Sequence, residues 1–274
     1  MPLVATKVLN MVGDPRTTPE QLADVVMTDQ ALSAKLIRIA NSAEYAFGRR
    51  CASTRDAIHL LGFLLVRRLA VTASLADLFD GSDANDTAFD LDLFWGHSLT
   101  VAVAAEAVAK STRTVRADEA FTAGILHDIG RLAIRRALPE EFRASLDLAA
   151  SEGISLREAE MRATGHSHEQ VGAALALKWR FPPHLVAAIE SHHNSELTVE
   201  DGLSGIIANC DRLVTRLGIV SDFGNRDLEG EIEPELREVA TLAGGTTAIM
   251  NHAAILMDEF LDRPGFEFMA FTEV

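Results

Sequence analysis

His127 and Asp128 sit side by side in the apolar run AFTAGILHDIGRLAI, residues 120–134. An imidazole and a carboxylate drawn into an apolar face need partners, because an unpaired buried polar group costs free energy. Two chemistries would satisfy them. They form a hydrogen-bonded structural pair, or they are two ligands of a metal ion. The rest of the chain repeats the pattern. In DLFWGHSLTVAVAAEAVAK the apolar stripe runs Phe94, His97, Val101, Ala104 and Val108. In HEQVGAALALKW it runs His168, Val171/Gly172, Leu175 and Trp179. In LVAAIESHHN it takes in Leu185, Ile189 and His192, with His193 beside it; in LSGIIANCDRLVTRLG it is Leu203, Ile207, Asp211, Val214 and Leu217. A single histidine on an apolar face is ordinarily a satisfied core residue. Seven imidazoles and carboxylates on five helical stripes share one cluster more economically than they find separate partners. Imidazole with carboxylate is a ligand set for zinc, iron, manganese or nickel, as one or two ions.

The remaining histidines read more plainly. His59 is a core or helix-end residue, His184 a surface residue after Pro182-Pro183, His252 an isolated residue of the tail, and His166 a cap or loop residue. Cys210, beside Asp211, reads as a small core residue.

The elements that must position these groups are helices. Apolar residues recur at three and four, and sustained alternation is missing, so an all-α protein of about a dozen helices is predicted. Thr18 with Gln21, Ser53 with Asp56, Ser155 with Glu158 and Ser167 with Gln170 are N-terminal capping patterns, the first reinforced by Pro19. Breaks are predicted at 13–19, 47–54, 80–90, 181–184 and 221–227. They divide the chain into an N-terminal helical lobe (1–85), a helical core (86–220) and a C-terminal helical extension (221–274), the last read as one helix or as two parted at Gly244-Gly245. No repeat of 20–50 residues is found.

Composition narrows the function classes. In 274 residues, 25 Lys and Arg stand against 40 Asp and Glu, a net charge of −15. Such a surface repels phosphate backbones and anionic lipid, so neither nucleic acid nor membrane is an expected partner. No apolar stretch approaches a membrane span, and no charged segment followed by an apolar block marks a signal peptide at the start. Cys51 and Cys210 make no disulfide framework. A cytoplasmic setting with reduced thiols is expected. There is no Gly-x-Ser-x-Gly elbow and no Gly-rich phosphate loop.

The stretches DQALSAKLIRIANSAEY (29–45), FWGHSL (94–99), AGILHDIGRL (123–132), GHSHEQVGAALALKW (165–179), FPPHLVAAIESHH (181–193) and ANCDRL (208–213) resemble, in order and spacing, the HDOD family. This is a bacterial branch of the HD superfamily of metal-dependent phosphohydrolases, related to the HD-GYP phosphodiesterases. The resemblance covers roughly residues 15–215. It implies a helical lobe packed on an HD-type core and a regulatory role in signalling; such domains frequently lack demonstrated catalysis. It also implies that His97, His127, Asp128 and Asp211 hold one ion, with Asp128 bridging to a second held by His168, His192 and His193.

Two features depart from the phosphodiesterase pattern. Arg131 stands where that branch has lysine after HDIG; it is either a phosphate contact or a solvated residue near a helix C-terminus. The run after His193, NSELTVEDG, carries no Gly-Tyr-Pro signature, so cyclic-di-GMP hydrolysis is poorly supported. In RIANSAEY, Asn41 and Ser42 suit a helix end and turn, with Tyr45 packing nearby. Three functions are therefore weighed. The first is a regulatory module acting through protein partners or a small anionic ligand. The second is a working metal-dependent phosphohydrolase, with Arg131 assisting. The third is a scaffold whose polar cluster is a hydrogen-bond network without metal. The tail from about 221 caps the core or makes a contact in a homo-oligomer.

Overall fold

The structure is a computed structural model that describes residues 7–8, 11, 16–41, 50–79, 89–219 and 233–261. Every regular element among these residues is helical, as the apolar spacing predicts, and none of them forms a strand. The chain divides into two compact units, Met1–Gly81 with Glu259–Arg263, and Ser82–Asp258 with Pro264–Val274.

In the first unit α1 (Pro19–Val26) starts where expected. Thr18 accepts from the Gln21 N–H at 3.3 Å while the Gln21 side chain accepts from the Thr18 N–H at 2.9 Å. Asp29 caps α2 (Gln30–Ala40), and Ser53 caps α3 (Thr54–Leu61). The helix α4 (Phe63–Phe79) comes after Gly62. All four pack against one another through Leu22, Leu36, Ile58 and Leu69. Asn41 ends α2 and ties it to the segment before α3. Its amide donates to Ile37 O and to Cys51 O, both at 2.9 Å, and its oxygen accepts from the Cys51 N–H at 2.8 Å. That is the helix-end role its sequence suggests; Ser42 and Tyr45 lie outside the described residues. His59 is in the last turn of α3, with its side chain at the surface.

The second unit is built round α5 (Leu91–Thr112), whose N-terminus is capped by Asp90. From Phe94 to Glu106 every residue of α5 is buried, which is the mark of a central helix. Against it lie α6 (Ala117–Leu126) and α12 (Gly202–Arg216). The chain between them forms α7 (Ile129–Ala137), α8 (Pro139–Glu152), α9 (Leu156–Thr164), α10 (His168–Lys178), α11 (Pro183–Ser191) and a 3-10 turn at Val199–Asp201. The hairpin of α8 and α9 closes its own small core of Ala149, Leu156 and Ala159. Ser155 caps α9, as its spacing from Glu158 predicts. The predicted break at 221–227 lies outside the described residues; beyond it α13 (Pro234–Leu242) packs on α12 and α5. It is parted from α14 (Thr246–Leu261) at Gly244 and Gly245, whose φ angles of 86° and 98° suit glycine. Among the described residues no single helix is long and apolar enough to cross a membrane.

Two helix crossings bring backbone against backbone. A Cβ on Gly124 of α6 would stand 2.5 Å from Ala102 Cα of α5. A Cβ on Gly130 of α7 would stand 1.9 Å from His168 O and 2.7 Å from Gly172 N of α10. Only glycine lets these helices meet at such a distance.

Candidate metal centre

The two crossings bring the polar residues of the apolar stripes together. Gly124 sets α6 against α5, and so places His127, at the C-terminal end of α6, opposite His97 of α5: their Nε2 atoms are 3.2 Å apart. Gly130 sets α7 against α10 and brings His168 to Asp128. His168 Nε2 is 3.2 Å from Asp128 Oδ1, and His192 Nε2 is 3.5 Å from the same oxygen. Two groups of donors result, each with all its ligand atoms within 4.8 Å of one another: His97, His127 and Asp128, and Asp128, His168, His192 and His193. Asp128 belongs to both. Asp211 adjoins the first group without joining that tight set; its Oδ1 is 3.1 Å from His97 Nε2 and 3.7 Å from His127 Nε2. Its Oδ2 is 3.4 Å from His193 Nδ1.

The structure thus draws all seven of the residues singled out in the sequence to one place, though not all by the expected means. His97 and Asp211 lie on helix interiors. His127 and Asp128 occupy the joint between α6 and α7, His168 is the first residue of α10, and His192 and His193 come after the last turn of α11. The buried face of α10 runs His168, Gly172, Ala173 and Ala176 rather than through Leu175 and Trp179, which are only half-buried. The backbone contact with Gly130 turns the small residues inward. Arg131 is not a solvated residue at a helix C-terminus. It lies in the first turn of α7, is buried, and places Nη1 3.1 Å from Asp128 Oδ2. The other histidines stay outside the cluster: His184 is on the surface beside Glu119, and His166 and His252 are exposed.

Each imidazole is oriented from behind. The Nδ1–H groups of His97, His127 and His192 donate to Ile219 O, Gly124 O and Ile189 O, each at 2.7 Å. A ring that donates at Nδ1 presents, when neutral, a lone pair at Nε2. When both rings are neutral, His97 and His127 point lone pairs at each other; a proton on His97 Nε2, shared with Asp211 Oδ1 at 3.1 Å, or a metal ion between the rings relieves that contact. Nitrogen donors at about 2.0–2.1 Å from one ion stand about 2.8–3.4 Å from each other. The 3.2 Å of His97 and His127, the 3.3 Å of His168 and His192 and the 2.9 Å of His168 and His193 fall in that span. Asp128 Oδ1 is buried among these nitrogens and accepts no hydrogen bond from the described residues. The cluster fits a divalent ion.

Electrostatics agree. Burial would raise the Asp128 carboxyl, but Arg131 and the imidazoles hold it well below the usual carboxylate range. Burial opposes ionisation of Asp211 as well, and hydrogen bonds from His193 and His97 overrule it. Burial pushes His127 down to about 3. His168 behaves differently: against burial and Arg131, the carboxylates of Glu160 and Asp128 raise it to about 9.

Two carboxylates near the cluster escape the reading of the sequence. Glu160, fully buried on α9, accepts from His168 Nδ1–H at 2.6 Å and from the His168 backbone N–H at 2.9 Å. Glu169 Oε2 is 3.7 Å from His168 Nε2, and Arg157 pairs with its other oxygen. Glu160 carries a visible signal: it shares the inner stripe of α9 with Leu156 and Ala159.

Comparison with known proteins places the chain. It is 24% identical over 199 residues, 71% of this chain, to an uncharacterized protein of Treponema pallidum (strain Nichols), of whose length the match covers only 38%. The crystal structure of an HDOD domain protein of unknown function from Geobacter sulfurreducens superposes with a TM-score of 0.74 at 27% identity, covering 98% of this chain and 93% of that one. A candidate phosphohydrolase from Shewanella amazonensis SB2B superposes with a TM-score of 0.67 at 25% identity, covering 96% and 92%. The HDOD domain model matches residues 1–195, close to three quarters of the sequence, and the chain belongs to the HDOD family.

Proposed function

We propose that this chain is a regulatory unit of bacterial signal transduction in the cytoplasm, holding one or two divalent transition-metal ions in the His/Asp cluster and acting through protein partners or a small anionic ligand. The observation that carries this reading is the enclosure of the donor set. Six of the seven residues are buried, and only His193 keeps a sizeable part of its side chain, 30%, open to solvent. Arg131, the cation nearest a phosphate ligand by sequence analogy, is held on Asp128. A site built this way suits retention of an ion better than repeated exchange of substrate. His97, His127 and Asp128, with Asp211 alongside, would hold one ion; Asp128, His168, His192 and His193 would hold the other.

A second reading, a working phosphohydrolase, is favoured by the sharing of Asp128 between two donor groups. Metal ions held there would supply Lewis acidity toward a phosphate ester. In that case His193 marks the approach from solvent, and Arg131 contributes by keeping Asp128 ionised.

The test is elemental analysis of protein purified without affinity tag or chelator, beside the double variant His127→Ala/Asp128→Ala. One or two ions per chain, lost in the variant, are expected. No ion after incubation with iron, manganese, zinc or nickel would sink both metal readings and leave a hydrogen-bonded scaffold. Turnover of bis-p-nitrophenyl phosphate by the loaded protein, abolished by Asp128→Asn, would decide for the second reading over the first.

A further inference from the structure

Among the four cluster histidines with Nδ1 bonded to a neighbour outside the cluster, three rely on a neutral main-chain carbonyl; His168 alone relies on an anion. The Glu160 carboxylate that serves it is 0% exposed. One oxygen, Oε2, takes both the ring Nδ1–H and the backbone N–H of His168, so it fixes the ring and caps the first turn of α10 at once. The other oxygen, Oε1, accepts no hydrogen bond among the described residues and lies 4.0 Å from Arg131 Nε.

A charge buried this deeply is costly, and a neutral serine or asparagine would cap the helix without that cost. The charge acts where a cation sits on the far side of the imidazole. A carboxylate behind a ligating histidine fixes its tautomer and strengthens the donor nitrogen. His168 Nε2 faces Asp128, His192 and His193, the second donor group. On the other side, His97 and His127 have only carbonyls behind them.

Resting on the metal reading above, we infer that Glu160 is a positioning residue that makes the two ion positions unequal. By holding His168 as the stronger donor, it makes the position of Asp128, His168, His192 and His193 the tighter one, filled before the position at His97 and His127.

The test is titration of the full chain with Mn²⁺ alone, free ion being counted by electron paramagnetic resonance. Wild type is compared with Glu160→Gln, which keeps the size and removes the charge, and with Glu106→Gln, which removes a buried glutamate paired with Lys110 elsewhere on α5. The tightest-bound ion should weaken about 10–100-fold in Glu160→Gln and stay unchanged in Glu106→Gln. Equal affinity in wild type and Glu160→Gln, or equal weakening in both variants, overturns the inference while leaving the metal reading intact. A wild type that binds no ion overturns both. Should Glu160→Gln unfold, the order of filling is read from two other variants. His192→Ala should lose the tightest ion and His127→Ala should keep it; the reverse overturns the inference.

Discussion

The two ends of the His/Asp cluster use the same side chains and are built differently. At one end His97 projects from the middle of α5 and meets His127 because Gly124 lets α6 lie on the backbone of α5. The rings are oriented by carbonyls, so that end depends on helix geometry alone. At the other end His168, His192 and His193 occupy helix ends, where the backbone leaves its regular course, and Glu160 and Glu169 close in around His168. One carboxylate, Asp128, thus joins a half whose rings rest on carbonyls to one in which a buried carboxylate stands behind a ring. Changes on either side should be felt unequally.

Asp128→Asn should have the largest effect, because it strikes both halves. Removal of one partner from a buried ion pair costs about 3–5 kcal/mol. Metal content should fall to background, and chelator, expected to lower the melting temperature of wild type, should leave that of the variant unchanged. Metal retained at the wild-type level would break the view of Asp128 as the shared ligand.

Gly130→Ala comes next. Its Cβ would overlap the backbone at His168, so α7 and α10 must separate, at a cost of about 3 kcal/mol. The expected outcome in metal titration is loss of the His168 position with the His97 position kept. Gly124→Ala is its mirror image: overlap with Ala102 should cost about 2 kcal/mol and weaken the His97 position first. If both variants lose the same ion, the two halves are not separable. Gly172→Ala is the milder control, since its Cβ would meet Ile189 Cγ2 at 3.0 Å and Gly130 N at 3.3 Å, well outside the overlaps at Gly130 and Gly124; chemical denaturation should show a loss of about 1 kcal/mol.

Ser155→Ala should be the smallest perturbation. It removes the cap of α9, the helix that carries Glu160, and should cost about 1 kcal/mol in denaturant while leaving metal stoichiometry unchanged.

The same contrast explains what can be read from sequence. His97 and Asp211 lie within regular helices, where a polar residue on an apolar stripe declares itself. The capping serines and Thr18 depend on neighbours three residues away, and they too are legible. His168 stands out, but the stripe drawn through Leu175 and Trp179 is not the buried one. What turns α10 is Gly130, 38 positions earlier, and spacing within one helix carries no trace of it. Glu160 stands on an inner stripe beside Ala159, yet acids are so common on helix surfaces that its burial emerges only when α9 meets α10. The burial of Arg131 likewise depends on tertiary partners. Local periodicity reveals which side chains turn inward; it does not reveal which backbones touch.

The exposure of His193 among otherwise buried donors has a kinetic consequence. An ion held in this cluster would exchange past the C-terminal end of α11, at a rate set by local opening there as well as by affinity. Metal captured early should then be retained through later changes in the surrounding supply. The composition of the centre would record the conditions under which the chain folded.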